Sequence, residues 1–250
     1  MTGRYTTLLF DADDTLFDFQ KAERTALSRV LTNHHLPATD DILTRYNAIN
    51  AALWREFEQN RITKEDIKNE RYRRLFDEFG ITPPVPPRTI NDRYLEQLGA
   101  CGFTLPGADA LCRTLKDAGY DMYIVTNGVS ATQKSRLENS GLKPYFDEMF
   151  VSEDLGAQKP LPAFFDAVLS RIPEQDRRRV LVIGDTLGSD IQGAVNAGLD
   201  CVWYNPTGKV NDRSLPVTKE VRSLREIAQF LGCTLPRADT AGVPETKQTS

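Results

Sequence analysis

Two aspartates, Asp11 and Asp13, stand two residues apart directly after the apolar run Thr7-Leu8-Leu9-Phe10, within the string Asp11-Ala12-Asp13-Asp14-Thr15. On extended backbone, side chains two apart share a side, so both carboxylates can reach one small volume. Like charges held that close need a shared proton or a cation between them. Mg2+, a hard cation that takes oxygen ligands, suits such a pair; Mn2+ takes the same donors and is the alternative. An acidic turn that merely closes a strand is the plainer reading, because Asp is a common turn residue.

Three further segments carry polar groups of the kinds a phosphate site needs. Thr126-Asn127-Gly128 follows the apolar Ile124-Val125 and precedes a helical pattern. A hydroxyl, an amide and free backbone N–H groups near a helix start form a phosphate cradle, although Asn-Gly is first of all a turn dipeptide. Lys159, before Pro160 and the next helical pattern, reads either as part of that site or as an ordinary surface lysine. Gly184-Asp185 follows Val182-Ile183, and Asp190 comes five residues after Asp185. Asp185, in the turn at the strand end, is the stronger metal candidate; Asp190 could instead be an N-cap.

These groups need strands to carry them. Met122–Val125, Val180–Ile183 and Cys201–Tyr204 are nearly all apolar, and Glu148–Val151 is a weaker candidate. Unbroken apolar runs suit strands buried on both faces of a parallel sheet. Helical patterns lie between them at 108–118, 132–140, 162–171 and 190–197, with Gly119, Gly141 and Gly198 just past three of these as C-terminal caps. The cadence predicts a doubly wound, Rossmann-like α/β fold. Residues 17–100 break it with helix after helix: 21–31, 40–58, 63–79 and 88–98. Asp40 and Thr63 are the expected N-caps, Thr63–Asp66 resembles a capping box, and Thr82-Pro83-Pro84-Val85-Pro86-Pro87 separates the last two helices. This predicts an all-helical cap over 17–100, an α/β core from 1–16 and 101–235, and a disordered polar tail over 236–250.

Bulk properties narrow the function. The 250 residues are 40% hydrophobic and 26% charged, with a net charge of −4, an ordinary soluble balance that argues against general nucleic-acid binding. No apolar stretch is long enough to span a membrane, and Met1–Tyr5 lead into the first strand without a signal-like segment. Cys101, Cys112, Cys201 and Cys233 form no CxxC pair, so free thiols in a reducing, cytoplasmic compartment are expected. His34 and His35 are the only histidines and sit together at a helix end, which disfavours a histidine-based triad. A monomer or weak homodimer is expected.

In order and context, Asp11-Ala12-Asp13-Asp14-Thr15, Thr126-Asn127-Gly128, Lys159-Pro160 and Gly184-Asp185 with Asp190 resemble the four motifs of the haloacid dehalogenase-like hydrolase superfamily, from Leu8 to about Leu231. The helical insert falls at that family's first cap position. Asp14 departs from the glycine most relatives carry. Phe10 to Phe17, Asn50 to Trp54 with Asn60 to Thr63, and Ser152-Glu153 before Gly156 look like its pyrimidine 5′-nucleotidase branch, which accepts an acidic residue at position 14. The resemblance implies phosphomonoester hydrolysis through an aspartyl-phosphate. Asp11 would be the nucleophile and Asp13 the general acid and base. Mg2+ would be held by Asp11, the Asp13 carbonyl and Asp185, with Asp190 acting behind them or through water. Thr126, Asn127, Gly128 and Lys159 would hold the phosphoryl oxygens.

Substrate choice would fall to the cap. Asn50, Trp54, Phe57 and Arg71 could stack on or hydrogen-bond a nucleoside monophosphate, pyrimidines favoured, although Trp54 and Phe57, three apart on one helical face, equally suit a cap core. The alternatives are a sugar-phosphate phosphatase, a phosphomutase in which Arg71, Arg73 and Arg74 supply a second phosphate site, and a binding protein on an inactive fold.

Overall fold

The computed structural model describes residues 4–236. Its centre is a parallel sheet of β1 (Thr7–Phe10), β2 (Asp121–Thr126), β3 (Glu148–Val151), β4 (Val180–Gly184), β5 (Asp200–Tyr204) and β6 (Lys219–Val221), in the order β3-β2-β1-β4-β5-β6. Every residue of β1 and β4 is buried, which is why those stretches are apolar without alternation. Alternate residues still serve different layers. Leu8, Phe10, Ile124 and Ile183 pack with α5 (Ala108–Asp117) and α10 (Leu224–Phe230). Leu9, Val125, Val182 and Trp203 pack on the other face with Phe164, Phe165 and Val168 of α8 (Pro162–Leu169).

The predicted strands are all present, and β6 is one the apolar runs did not mark. It is a short edge strand with Lys219 and Glu220 exposed, so it lacks the apolar signature that burial on both faces imposes. Chain order runs outward from β1 through β2 to β3, then returns to β4 on the far side of β1. That reversal opens a crevice at the carboxyl ends of β1 and β4.

Four helices are inserted between β1 and α5: α1 (Phe19–Asn33), α2 (Asp40–Glu58), α3 (Lys64–Phe79) and α4 (Pro87–Gly99). They share a hydrophobic cluster of their own, with Tyr46, Leu53, Tyr72, Leu75, Ile90 and Tyr94 fully buried. The chain leaves and re-joins the sheet unit side by side: Leu105 N–H donates to Leu16 O at 2.8 Å and Asp18 N–H to Phe103 O at 3.0 Å. Thr63 caps α3 in a complete capping box with Asp66. The N-cap of α2 is Thr39, whose hydroxyl accepts from Ile42 N–H, not Asp40. Asp40 and Asp41 lie inside the first turn, where the helix dipole favours negative charge.

The remaining helices are α6 (Ser130–Ser140), α7 (Ser152–Leu155) and α9 (Gln192–Asn196). The helix expected from Asp190 instead opens as a single wide turn over Leu187–Ile191 that runs into α9. The Asp190 carboxylate bonds back to Thr186 N–H at 3.0 Å, and such wide turns gather at functional sites. Gly119, Gly141 and Gly198 all have positive φ after their helices. Cys101, Cys112 and Cys201 are buried, Cys233 is partly so, and all four are free thiols. No helix among the described residues is long and apolar enough to cross a membrane. The expected disordered tail lies, apart from Pro236, outside the described residues.

Leu53 is fully buried at the centre of the inserted cluster. Leu53→Ala should therefore lower unfolding free energy by about 2–5 kcal/mol, measured as a drop in the urea midpoint; an unchanged midpoint would refute this packing.

Candidate active site

The strand ends bring the four separated motifs together. Asp11 directly follows β1 and ties to β4 through its own N–H, which donates to Ile183 O at 2.8 Å. Lys159, expected as either a site group or a surface lysine, has a side chain only 2% exposed. Its ammonium donates to Asp11 Oδ1 at 2.6 Å, Asp190 Oδ1 at 2.7 Å and the Val125 carbonyl at 2.7 Å. All three ammonium protons are thus spoken for. Asn127 fixes the backbone of the same lysine: its Nδ2 donates to Lys159 O at 2.8 Å and its Oδ1 accepts from Lys159 N–H at 2.9 Å.

Asp11, Asp185 and Asp190 present carboxylate oxygens that all lie within 4.8 Å of one another. One lysine lies at bonding distance; Lys209 reaches only 4.0 Å from Asp185. Burial drives the Asp11 carboxyl well above its ordinary range; Asp190 pushes it the same way and Lys159 opposes them. Asp185 is pushed up to about 8, by burial first and by Asp190 second. Burial alone would lower the Lys159 ammonium, but Asp11 and Asp190 outweigh it and raise it. An all-oxygen donor set with uncompensated negative charge fits a hard divalent cation.

Asp13 turns its carboxylate away from that trio. It accepts from Gln133 Nε2 at 2.5 Å and from the guanidinium of Arg136. Arg136 is fully buried, with its guanidinium 4.7 Å from the Phe17 ring. Gln133 also donates to Thr126 Oγ1 at 3.2 Å, and the same hydroxyl accepts from Gly128 N–H at 3.1 Å. A Cβ on Gly128 would lie 2.3 Å from Gln133 Nε2, and one on Gly184 would lie 2.4 Å from an Asp190 carboxylate oxygen. Both glycines let a polar side chain close against backbone. Asp14, where the family resemblance expects glycine, has φ +56° and accepts from Gln20 Nε2 at 3.0 Å. The left-handed region explains why glycine suits that position.

A cavity of about 390 Å3 joins this cluster to the inserted helices. Asn50, Trp54 and Arg71 line it with Asp11, Thr126 and Lys159. Asn50 Nδ2 donates to Glu23 Oε1 at 2.6 Å, and Asn50 Oδ1 accepts from Arg71 at 3.4 Å. Arg71 is buried, donates to Asn91 at 3.0 Å and lies 4.7 Å from the Tyr94 ring. Phe57 stays in the helical core and meets Trp54 edge-on at 5.5 Å. Arg73 and Arg74 do not join the site. They pair with Glu70, and Arg73 also with Asp77, beside a different depression.

Sequence reasoning missed Glu23, Glu58, Gln133 and Arg136. Glu58, at the end of α2, also lines the cavity and is pushed up to about 7, by burial and then by Asp190. Gln133 and Arg136 are three apart and so share a face of α6. That spacing was legible, but nothing in the polar string Ser130–Ser140 distinguished an inward arginine from the exposed Lys134.

The family model for haloacid dehalogenase-like hydrolases matches residues 5–198. The chain belongs to this family. The hydrolase is 42% identical over 228 residues to the HAD-hydrolase YfnB of Bacillus subtilis, covering 91% of this chain and 96% of that one. A crystal structure of YfnB, described as bound to magnesium and as revealing interdomain movement, superposes with a TM-score of 0.86 at 41% identity over 92% of this chain and 99% of that one. Pyrimidine 5′-nucleotidase PynA of Streptococcus pneumoniae is 39% identical, covering 91% of this chain and 95% of that one. Pyrimidine 5′-nucleotidase YjjG of Escherichia coli is 34% identical over 91% and 98% of the two chains. With these relatives the hydrolase stands among the phosphoric monoester hydrolases.

The raised carboxyls set a pH dependence. A carboxyl whose folded value lies near 8, as for Asp185, binds its proton more tightly than the unfolded chain does between about pH 4 and 8. In EDTA the trio's contribution should therefore fall as pH rises through that window. A bound divalent cation must displace the proton, so it should restore more stability at pH 8 than at pH 5.5. Thermal melts with and without Mg2+ check this, with Asp185→Asn as control; an equal Mg2+ increment at both pH values would refute it.

Proposed function

We propose that this hydrolase is a divalent-cation-dependent phosphatase that works through an aspartyl-phosphate and acts on nucleoside 5′-monophosphates, pyrimidines preferred. One observation carries the chemistry: the buried Lys159 ammonium bridges Asp11 and Asp190 beside a third carboxylate, Asp185. A lysine so placed offsets the charge of Asp11 as a phosphoryl dianion approaches. Two relatives named as pyrimidine 5′-nucleotidases, each matched over most of its length, support the substrate class.

In the first step an Asp11 oxygen attacks phosphorus, the P–O ester bond breaks, and Asp13 gives the leaving oxygen its proton. In the second, Asp13 takes a proton from water, the water oxygen attacks phosphorus, and the Asp11–phosphorus bond breaks to release phosphate. Thr126 Oγ1 and the Asn127 N–H hold non-bridging oxygens, and Lys159 gives up its bond to Asp11 to hold another. Gln133 and Arg136 fix the resting position of Asp13. Asp11, the Asp13 carbonyl and Asp185 would hold Mg2+, with Asp190 behind them, and the bound ion would supply positive charge against the phosphoryl oxygens. Positioning and charge stabilisation provide most of the rate in such transfers.

Residues 17–100 act as a cap over the sheet unit formed by 1–16 and 101–235. Trp54 offers a face for stacking, and the Glu23–Asn50–Arg71 network offers hydrogen-bonding groups at the far side of the cavity. Arg73 and Arg74 pair away from the cavity, so Arg71 is the one of those three arginines that lines it.

Asp11→Asn should lower kcat by more than about 1,000-fold while the melting temperature holds, and EDTA should abolish turnover that Mg2+ restores. Retained turnover in Asp11→Asn would refute the nucleophile. Across a panel of phosphomonoesters, kcat/KM for UMP, dUMP and dTMP should exceed that for sugar phosphates; the reverse order would refute the nucleotidase reading.

A further inference from the structure

Lys64 opens α3 in the inserted helical unit, yet its ammonium bonds only to groups of the sheet unit. It donates to the Gly128 carbonyl at 2.9 Å and to Ser152 Oγ at 2.9 Å, and it lies 3.6 Å from a Glu153 oxygen. Its side chain is 14% exposed, and the ammonium lies 5.7 Å from the centre of the Phe57 ring. Ser152 Oγ in turn donates to the Asn127 carbonyl at 3.4 Å. One lysine therefore grips both carbonyls of the Asn127-Gly128 pair, directly at Gly128 and through Ser152 at Asn127. The Asn127 N–H of this loop is the one that faces a phosphoryl group in the proposed reaction. Gln133 packs closely against Gly128, leaving no room there even for a Cβ.

We propose that Lys64 is a positioning residue, a latch through which the closed helical unit holds the phosphate-cradling loop in its binding shape. This deepens the phosphatase reading and rests on it. The latch needs the ammonium, since a neutral amine gives up both the ion pair and one donor. Burial pushes Lys64 down to about 8, against the opposing pull of Glu153. The charged groups near it are Glu153 and Asp154 on α7 and Lys68 on α3 itself; α2 presents the uncharged Phe57 ring. Lys134 on α6 pairs with Asp154. The latch is accordingly intact below pH 8 and released as pH rises through it.

The test uses the whole protein with Mg2+ and p-nitrophenyl phosphate, a probe that does not depend on base recognition. Lys64→Met keeps the aliphatic stem over Phe57 and should raise KM about tenfold or more at pH 7, with kcat changed less than about threefold and little change in melting temperature. Lys64→Arg should keep KM within about threefold at pH 7. Between pH 7 and 9 the parent KM should climb, while that of Lys64→Arg stays flat. An unchanged KM in Lys64→Met overturns the latch, as does a parent KM that is level to pH 9. If Lys64→Met does not fold, the parent and Lys64→Arg profiles decide alone. Absence of turnover in the parent would instead defeat the phosphatase reading, so the two failures are distinct.

Discussion

A buried ammonium held between two buried carboxylates organises this molecule. Lysine is costly to bury unpaired, because desolvation penalises the charged form. Lys159 escapes that cost through Asp11, Asp190 and the Val125 carbonyl. Each partner comes from a different element: the end of β1, the turn after β4 and the last stretch of β2. The ion cluster therefore sits where the strand order reverses, and it ties three strand ends together. Removing the lysine would leave two buried carboxylates without their cation, which is worse than removing the whole set.

The same cluster is deliberately unbalanced. Three carboxylates gather around one ammonium that bonds two of them, and burial first, with Asp190 second, raises the Asp11 and Asp185 carboxyls. A fold that only sought stability would pair them off. In the proposed reaction the surplus carboxyls are what a divalent cation would bind, and through it a phosphoryl dianion. The wide turn at Leu187–Ile191 and the cramped Gly184 belong to this arrangement, because both allow the Asp190 carboxylate to lie flat against the end of β4.

The inserted helices add a second polar interior. Glu23, Asn50, Arg71 and Asn91 are buried and hydrogen-bonded to one another around the aromatic group of Tyr46, Tyr72 and Tyr94. Buried hydrogen-bonded networks of this kind rigidify what they line. They give the cavity a defined, polar far wall opposite the acidic strand ends. The unit has its own hydrophobic cluster and two chain connections to the sheet, and the Lys64 ammonium reaches across to Gly128 and Ser152.

Much of this was legible in the chain. Strands buried on both faces must be apolar throughout, so β1, β2, β4 and β5 announced themselves, and the polar residues that follow them named Asp11, Asp13, Thr126 and Asp185, while Lys159 read equally as a site group or a surface lysine. Helical periodicity marked the insert, and Thr63 with Asp66 marked the start of α3. The edge strand β6 gave no signal, because only one of its residues is buried. What the chain could not state is direction. Asn50 and Arg71 face the cavity while Arg73 and Arg74 face away, Phe57 packs inward while Trp54 lines the wall, and Arg136 is buried on a helix whose composition reads as exposed. Local pattern fixes which residues can be polar or apolar along an element. Which partner a charge finds depends on residues more than a hundred positions away, as Lys159 and Asp11 do, and only the packed sheet brings them within bonding reach.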